Sequence, residues 1–286
     1  MLIIKNIGRI GLQNNGNTCY LNSCLQLLTH SGFFTLKLYN FYKKNKNKDL
    51  KQIEKYLLEL VLNKWFSNNI IYNPIKIHKE VSKNNDMFNP IYCEQHDASE
   101  FLIYVLNELN IKLQKIFNST FVSVLKCKNC KNISKTNEDF LIWSIDVYDH
   151  INSSIKSFFH PEEVDDIFCD TCQTKTKCTK KYEYHKTSDN LIIHLKRFKI
   201  INNRYQKINQ KIHYNDVITV NKNNYELRGV IVHMGSINSG HYIFLGKNLN
   251  NEWLNYNDSN CSKNDYHKPI EDGYIFYYEK ITKITN

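Results

Sequence analysis

Apolar residues recur at helical spacing in three stretches of the first 115 residues. Within residues 19–30, Leu21, Leu25 and Leu28 share one face, and Gly32 just beyond supplies a stop signal. Residues 50–65 repeat the amphipathic pattern, and residues 97–113 carry Phe101, Leu102, Val105, Leu109 and Leu113 on one stripe. After that the pattern turns extended. Short β-branched or aromatic runs at 121–125, 141–147, 191–195, 227–233, 242–245 and 274–278 read as strands. Helices first and strands later predict an α+β fold with a largely antiparallel sheet. Neither an internal repeat nor a Pro- or Gly/Ser-rich linker divides the chain, so residues 1–286 are expected to form a single domain.

At 286 residues, 42% hydrophobic and 23% charged, the chain has enough apolar content to bury a core and is not a disordered sequence. Its best apolar run, residues 56–62, is broken at Glu59, and Met1-Leu2-Ile3-Ile4-Lys5 is too short for a secretory signal. Membrane and secreted classes therefore drop out, and a reducing compartment, cytoplasmic or nuclear, is expected. There, nine cysteines, an odd number, serve as metal ligands, nucleophiles or core thiols and not as a disulfide frame. The net charge of +10 would suit nucleic acid, but it is spread along the chain. Lys43-Lys44-Asn45-Lys46-Asn47-Lys48 has no interleaved aromatic residue and reads as a solvated loop.

Glycine placement narrows the search for chemistry. No glycine lies between Gly32 and Gly229, so the two ends hold the conformationally special backbone and are expected to meet around a site. At the first end, Asn14-Asn15-Gly16-Asn17-Thr18-Cys19 places a cysteine at the first turn of a helix. The unpaired amides and positive dipole there stabilise a thiolate, and with an amide side chain such as Asn14 they would hold an oxyanion. Cys24, mid-helix, reads as core. At the other end, Ser239-Gly240-His241-Tyr242 is followed by Trp253-Leu254-Asn255-Tyr256-Asn257-Asp258. His241 is the candidate base, with Asn257 or Asp258 to fix its ring, while His233 ends an apolar strand and reads as structural. Gly240 beside the histidine would let a substrate backbone lie against the ring. The order Cys, His, Asn is shared with papain-like enzymes, although their local signatures are absent.

Cys127-Lys128-Asn129-Cys130 and Cys169-Asp170-Thr171-Cys172 are two C-x-x-C pairs whose four thiolates suit a structural zinc ion with no open position. Cys178 is a spare thiol.

Together these segments resemble the ubiquitin-specific protease family of deubiquitinating cysteine proteases, from Gly11 to Glu279. Residues 11–23 match the cysteine box, Gln95-His96-Asp97-Ala98-Ser99-Glu100-Phe101-Leu102 the following helical segment, and the C-x-x-C pairs the finger zinc site. Leu191-Ile192-Ile193-His194-Leu195-Lys196-Arg197-Phe198 is similar to a strand signature, and residues 239–258 to the histidine box. The resemblance implies a papain-like fold with a helical thumb (about residues 11–115) and an antiparallel palm with zinc-ribbon-like fingers (about 116–280). It implies Cys19 as nucleophile, His241 as general base, Asn257 as third member, Asp258 as its support and Asn14 in the oxyanion hole. Ubiquitin is the implied partner, its diglycine tail lying among Gln95, Asp97, Glu100, Gly240 and Tyr242, on an enzyme acting as a monomer. The implied reaction is hydrolysis of the isopeptide bond after ubiquitin's last glycine. Asn15 stands where the family usually has Leu, Ser119 lies near a usual glycine, and no Pro precedes the 191–195 strand.

The acidic residues have two readings each. Asp97-x-x-Glu100 has capping-box spacing and, through the resemblance, also suits the arginines of the ubiquitin tail. Glu162-Glu163-Val164-Asp165-Asp166 is a solvated face or an acidic lip for a basic partner surface. A hydrolase of another modifier, an inactive ubiquitin-binding module and a zinc-ribbon nucleic-acid binder are the competing functions.

Overall fold

The computed structural model describes residues 8–45, 50–201, 204–236, 239–264 and 272–282. The amino-terminal part is helical: α1 (Cys19–His30), α2 (Gly32–Asn45), α3 (Gln52–Phe66), α4 (Ile75–Ser82), α5 (Ala98–Glu108) and α6 (Ile111–Gln114), with β1 (Gly11–Leu12) pairing β2 (Ile71–Tyr72). The rest is mainly strand: β3 (Ser119–Cys127), β4 (Ile133–Phe140), β5 (Trp143–Ile145), α7 (Ile151–Phe158), β6 (Glu162–Cys169), β7 (Thr174–Lys186) and β8 (Asn190–Leu195). There follow the hairpin β9 (Phe198–Ile201) and β10 (Arg204–Lys207), then β11 (Val217–Val220), β12 (Asn223–Gly235), β13 (Gly240–Lys247), β14 (Trp253–Asn257), β15 (Asn260–Lys263) and β16 (Gly273–Lys280).

The palm is an eight-stranded sheet in the order β15-β14-β13-β12-β16-β8-β5, with β11 on β12; only β5 and β8 pair in parallel. The fingers are a separate antiparallel sheet, β4-β3-β7-β6. Alternate palm residues serve two cores. Ile275 and Tyr277 join the helical core with Leu21, Leu25 and Leu28, whereas Phe276 and Tyr278 join a second core with Ile151 and Ile155 of α7. Both faces are covered, which is why the 191–195 and 274–278 runs are apolar without alternation.

Helix α1 lies at the centre and all twelve of its residues are buried, not one stripe alone. Its polar side chains are consequently bonded: Gln26 Nε2 donates to the Ile10 carbonyl at 2.7 Å and Thr29 Oγ1 to the Leu25 carbonyl at 2.7 Å.

Three expectations need correction. Gly32 does not follow a helix into a loop; α1 ends at Ser31 in extended conformation, and Gly32 opens α2, its amide held by the Glu279 carboxylate at 2.7 Å. The 97–113 stripe is buried as expected, but it spans two helices. Leu109 breaks the first, and Asn110 caps the second while its own amide donates to the buried Glu54 at 2.6 Å. Lys43 and Lys44 lie in the last turn of α2 and not in a loop; residues 46–49 and the amino-terminal residues 1–7 fall outside the described residues. The acidic stretch forms most of β6. It is exposed and partly paired, Glu163 with Lys128 and Asp165 with Lys177 at 3.5 Å, as befits a solvated face.

Candidate active site

The amino-terminal segment docks on the turn after β14, bringing the two glycine-bearing ends together. The Leu12 amide donates to the Asp258 carbonyl at 2.7 Å, and a Cβ on Gly11 would stand 2.0 Å from the Ser259 carbonyl oxygen, so only glycine fits. The loop then turns tightly through Gly16 (φ 103°) and Asn17 (φ 52°). Asn14 Oδ1 accepts from the Gly16 amide, the Thr18 amide and Thr18 Oγ1 at 3.0–3.1 Å, and this bracing sets the start of α1. Cys19 is its first residue, buried at 3% exposure, with no acidic side chain in the first turn to compete for the helix-end amides.

Across the seam, His241 stands second in β13, and its Nε2 donates to Asn257 Oδ1 at 2.7 Å. The same ring lies close enough to the Cys19 sulfur for the two to share a proton. This bond to Cys19 is the main reason His241 is raised to about 9; the Asn257 side chain and the charges of Cys19 and Asp258 act in the same sense, against burial. Residues 19 and 241 therefore meet, as the chemistry requires.

Asn257 and Asp258 separate by position. Asp258 turns away from the imidazole: Asn14 Nδ2 donates to its Oδ2 and Asn22 Nδ2 to its Oδ1, both at 2.8 Å. Asn14 thus has its oxygen fixed in the loop and one amide hydrogen on Asp258, leaving the other free to meet a developing charge. Asn22 had no role in the sequence reading. It ties Asp258 and the Leu12 carbonyl to α1, and a polar residue three positions after Cys19 in an apolar helix was its only sequence signal.

The expected tail contacts lie along this seam with unequal access. Gln95 is exposed and pairs with both backbone groups of Gly240, at 3.1 and 3.3 Å. Glu100 is exposed, and burial and the Asp97 charge raise its carboxyl. Asp97 caps α5 through Oδ1, which accepts from the Ser99 and Glu100 amides and from Ser99 Oγ, and its Oδ2 accepts from the Tyr274 hydroxyl. The Glu100 half of the reciprocal capping pair does not form among the described residues. Tyr242 is buried in an aromatic layer with His233 and Tyr274, its hydroxyl on the Ala98 backbone. Gly240 is glycine for a reason the sequence did not reveal: a Cβ there would stand 2.0 Å from His233 Nε2. His233 is buried and lowered to about 4, chiefly by desolvation, which makes it a neutral structural residue as expected.

At the fingertip, Cys127, Cys130, Cys169 and Cys172 bring their sulfurs within 4.8 Å of one another. The Cys127–Cys172 and Cys130–Cys169 separations are 3.9 and 3.6 Å, bracketing the ~3.8 Å edge of a tetrahedron with 2.3 Å metal–sulfur bonds. Each knuckle closes alike, the residue after its second cysteine taking positive φ (Lys131 63°, Gln173 53°) and donating its amide to the first cysteine's carbonyl. The Thr176 hydroxyl and then the Cys130 amide lower Cys127 to about 6. The donor set fits a metal ion. Cys178 faces Cys127 across β3 and β7 and stays outside the set; Cys24 is core, its Sγ on the Ala98 carbonyl at 3.1 Å. All nine cysteines are free thiols.

A cavity of about 810 Å³ opens where fingers meet palm, lined by Phe140, Asp146, Lys156, Tyr182 and Lys196 among others. None of its lining residues belongs to the group around Cys19.

A sequence model of a protein family, described as ubiquitin carboxyl-terminal hydrolase, matches residues 10–278. The chain belongs to that family. The protein is thus a cysteine-type deubiquitinating hydrolase, in line with the ubiquitin-specific protease resemblance. Similar curated proteins include Arabidopsis thaliana ubiquitin carboxyl-terminal hydrolase 4, 28% identical over 95% of this chain and 93% of its own length. Ubiquitin carboxyl-terminal hydrolase 12 of Salmo salar is 28% identical over 94% of this chain and 89% of its own. Drosophila melanogaster Usp2 is 27% identical over 96% of the chain, which spans 35% of that relative. Among solved structures, the SAGA Ubp8/Sgf11/Sus1/Sgf73 DUB module bound to ubiquitin aldehyde matches at TM-score 0.82 and 24% identity, over 98% of this chain and 71% of that one. That likeness is one of fold: the mixed architecture of thumb, palm and fingers. Among the described residues, no helix is long and apolar enough to cross a membrane.

Proposed function

We propose that this hydrolase cuts the isopeptide bond after ubiquitin's terminal glycine through Cys19, His241, Asn257 and Asn14. The Cys19 sulfur attacks the carbonyl carbon, and the Cys19 amide with the free Asn14 amide hydrogen holds the oxyanion. The carbon–nitrogen bond breaks as His241 protonates the departing lysine amine, leaving a thioester. His241 then takes a proton from water, whose oxygen displaces the sulfur and releases ubiquitin. Asn257 keeps the imidazole aimed, and Asp258 acts one step back by orienting Asn14. Gln95, Glu100 and Gly240 meet the tail, while Asp97 and Tyr242 chiefly brace the thumb against the palm. Zinc at the four fingertip thiolates, with all positions filled by sulfur, would hold the finger sheet and take no part in the reaction. The single-domain monomer in a reducing cytoplasmic or nuclear compartment, without nucleic acid or membrane, completes this reading. Nine free thiols agree with such a compartment.

The observation that carries the proposal is one imidazole bonded to Asn257 and brought against Cys19. Ubiquitin bearing an electrophilic carboxyl terminus should form a covalent adduct that is absent in Cys19→Ala. An adduct with another modifier but not with ubiquitin changes the substrate, and stoichiometric binding without an adduct removes the activity.

A further inference from the structure

Basic residues outside the seam gather at one place. Lys37, Asn40, Phe41 and Lys44 recur at i, i+3, i+4 and i+7 along α2, a spacing that puts them on one face. That face meets Lys112 of α6 and Lys115, which caps it, and together they enclose a cavity of about 270 Å³ floored by Phe41 and Leu113. No carboxylate lines this cavity. Among the described residues none of its four lysines forms an ion pair, in contrast to Lys76, Lys207 and Lys263. Two large apolar side chains stand exposed beside it, Leu36 (63%) one residue before Lys37 and Ile111 (60%) one before Lys112. Neither α2 nor α6 contributes a side chain to the group around Cys19.

Four unpaired ammonium groups around an apolar floor demand an occupant that is acidic and also carries apolar side chains. A nucleic acid fits less well. Among the described residues Phe41 is the one aromatic ring lining the pocket on which a base could stack, and the site has no arginine to fork onto a phosphate. We propose that the α2–α6 pocket is a docking site for an acidic segment of a partner protein, whose leucine-like side chains seat on Phe41 and Leu113 while its carboxylates meet Lys37, Lys44, Lys112 and Lys115. Such a site would recruit a target or regulator without touching the reacting atoms.

Fluorescence anisotropy with a labelled synthetic peptide of repeated Glu-Glu-Leu tests this on the full chain. Binding should weaken about tenfold when Lys37→Glu and Lys112→Glu are combined, and also when salt rises from about 0.05 to about 0.3 M. Turnover of a ubiquitin carboxyl-terminal amide should be unchanged in that variant, which also reports that it is folded and keeps this test separate from the catalytic one. A Glu-Glu-Ser peptide should bind several-fold more weakly, for want of the apolar anchor. Equal affinity of wild type and the doubly reversed variant overturns the proposal. So does tighter binding of oligo-dT or of phosphatidylserine vesicles than of the peptide, either of which would assign the pocket to a different class of polyanion.

Discussion

His241 keeps its charge to higher pH than a free imidazole because two partners, on different ring nitrogens, favour the protonated ring, the Cys19 sulfur first and the Asn257 carboxamide after it. A base raised from 6.5 to about 9 on folding contributes stability that is complete below 6.5 and lost as pH climbs through 9. The same proton is the one delivered to the leaving amine, so activity should fall on an alkaline limb near pH 9. Asn257→Ala removes one of the contacts that hold the proton. Its alkaline limb should move to lower pH, and kcat should drop on the order of 100-fold, as for loss of an orienting partner. Pre-steady-state pH profiles check this, and a limb that stays where it is would separate Asn257 from the imidazole. The nucleophile and base were legible in the sequence because few residue types can do those jobs. Residue chemistry alone left Asn257 and Asp258 open and only the family resemblance separated them, because Asp258 lies just past the strand, in a turn with φ 47°, where strand periodicity does not reach.

At the level of elements, the β9–β10 hairpin is pinned at its root by Lys207. Its ammonium, 6% exposed, donates to the His233 and Gly235 carbonyls at 2.7 and 3.0 Å and to Asp272 Oδ1 at 2.9 Å. Gly235 pairs with Gly240, so the same staple steadies the turn that delivers His241. Lys207→Met leaves three acceptors without a donor and should cost about 3 kcal/mol of stability and lower kcat/KM at least about tenfold, with Lys207→Arg recovering part of both. Thermal melts and turnover on a ubiquitin amide measure the pair of effects; loss of stability with full turnover would confine Lys207 to structure. The finger sheet behaves differently. Strands β4 and β6 are exposed on both faces, so they carry no period-two signal, and only the C-x-x-C pairs announced them. Helix α7 was likewise missed inside a region read as extended, and α2 was hidden behind a glycine taken for a stop. The fingertip has a small core, three cysteines and a few flanking residues, and a metal bound by the four thiolates would supply much of its stability. Cys172→Ser or chelation should unfold the fingers by hydrogen exchange while the palm stays protected, and weaken ubiquitin binding more than reaction with a small thiol reagent at Cys19.

Over the whole molecule, thumb and palm are joined by polar contacts set in an apolar seam: Asn22 and Asn14 to Asp258, Tyr274 to Asp97, Asn190 to Ser31, and the Lys64 ammonium to the ring of Tyr256. Lys64 is the least expected of these. It is fully buried, its ammonium donating to Gln26 Oε1 at 2.8 Å and to the Gln26 carbonyl and Thr29 Oγ1 at 3.3 Å, and it lies 5.0 Å from the centre of the Tyr256 ring in β14. Among the described residues no carboxylate pairs with it, and desolvation lowers it to about 7. Between pH 7 and 10.5 the unfolded chain therefore holds a proton that the folded chain gives up, and stability from this group rises with pH, the reverse of the His241 contribution. The two slopes oppose each other from pH 7 to 9, so the wild-type stability should vary little there on their account. Lys64→Met removes one slope and keeps the other. The difference in unfolding free energy, wild type minus variant, should then grow with pH by up to about 1.4 kcal/mol per unit above pH 7, whatever the packing cost of methionine at that position. Urea titrations at a series of pH values read this difference directly; a gap that stays constant with pH would mean that Lys64 remains an ammonium ion in the folded core throughout.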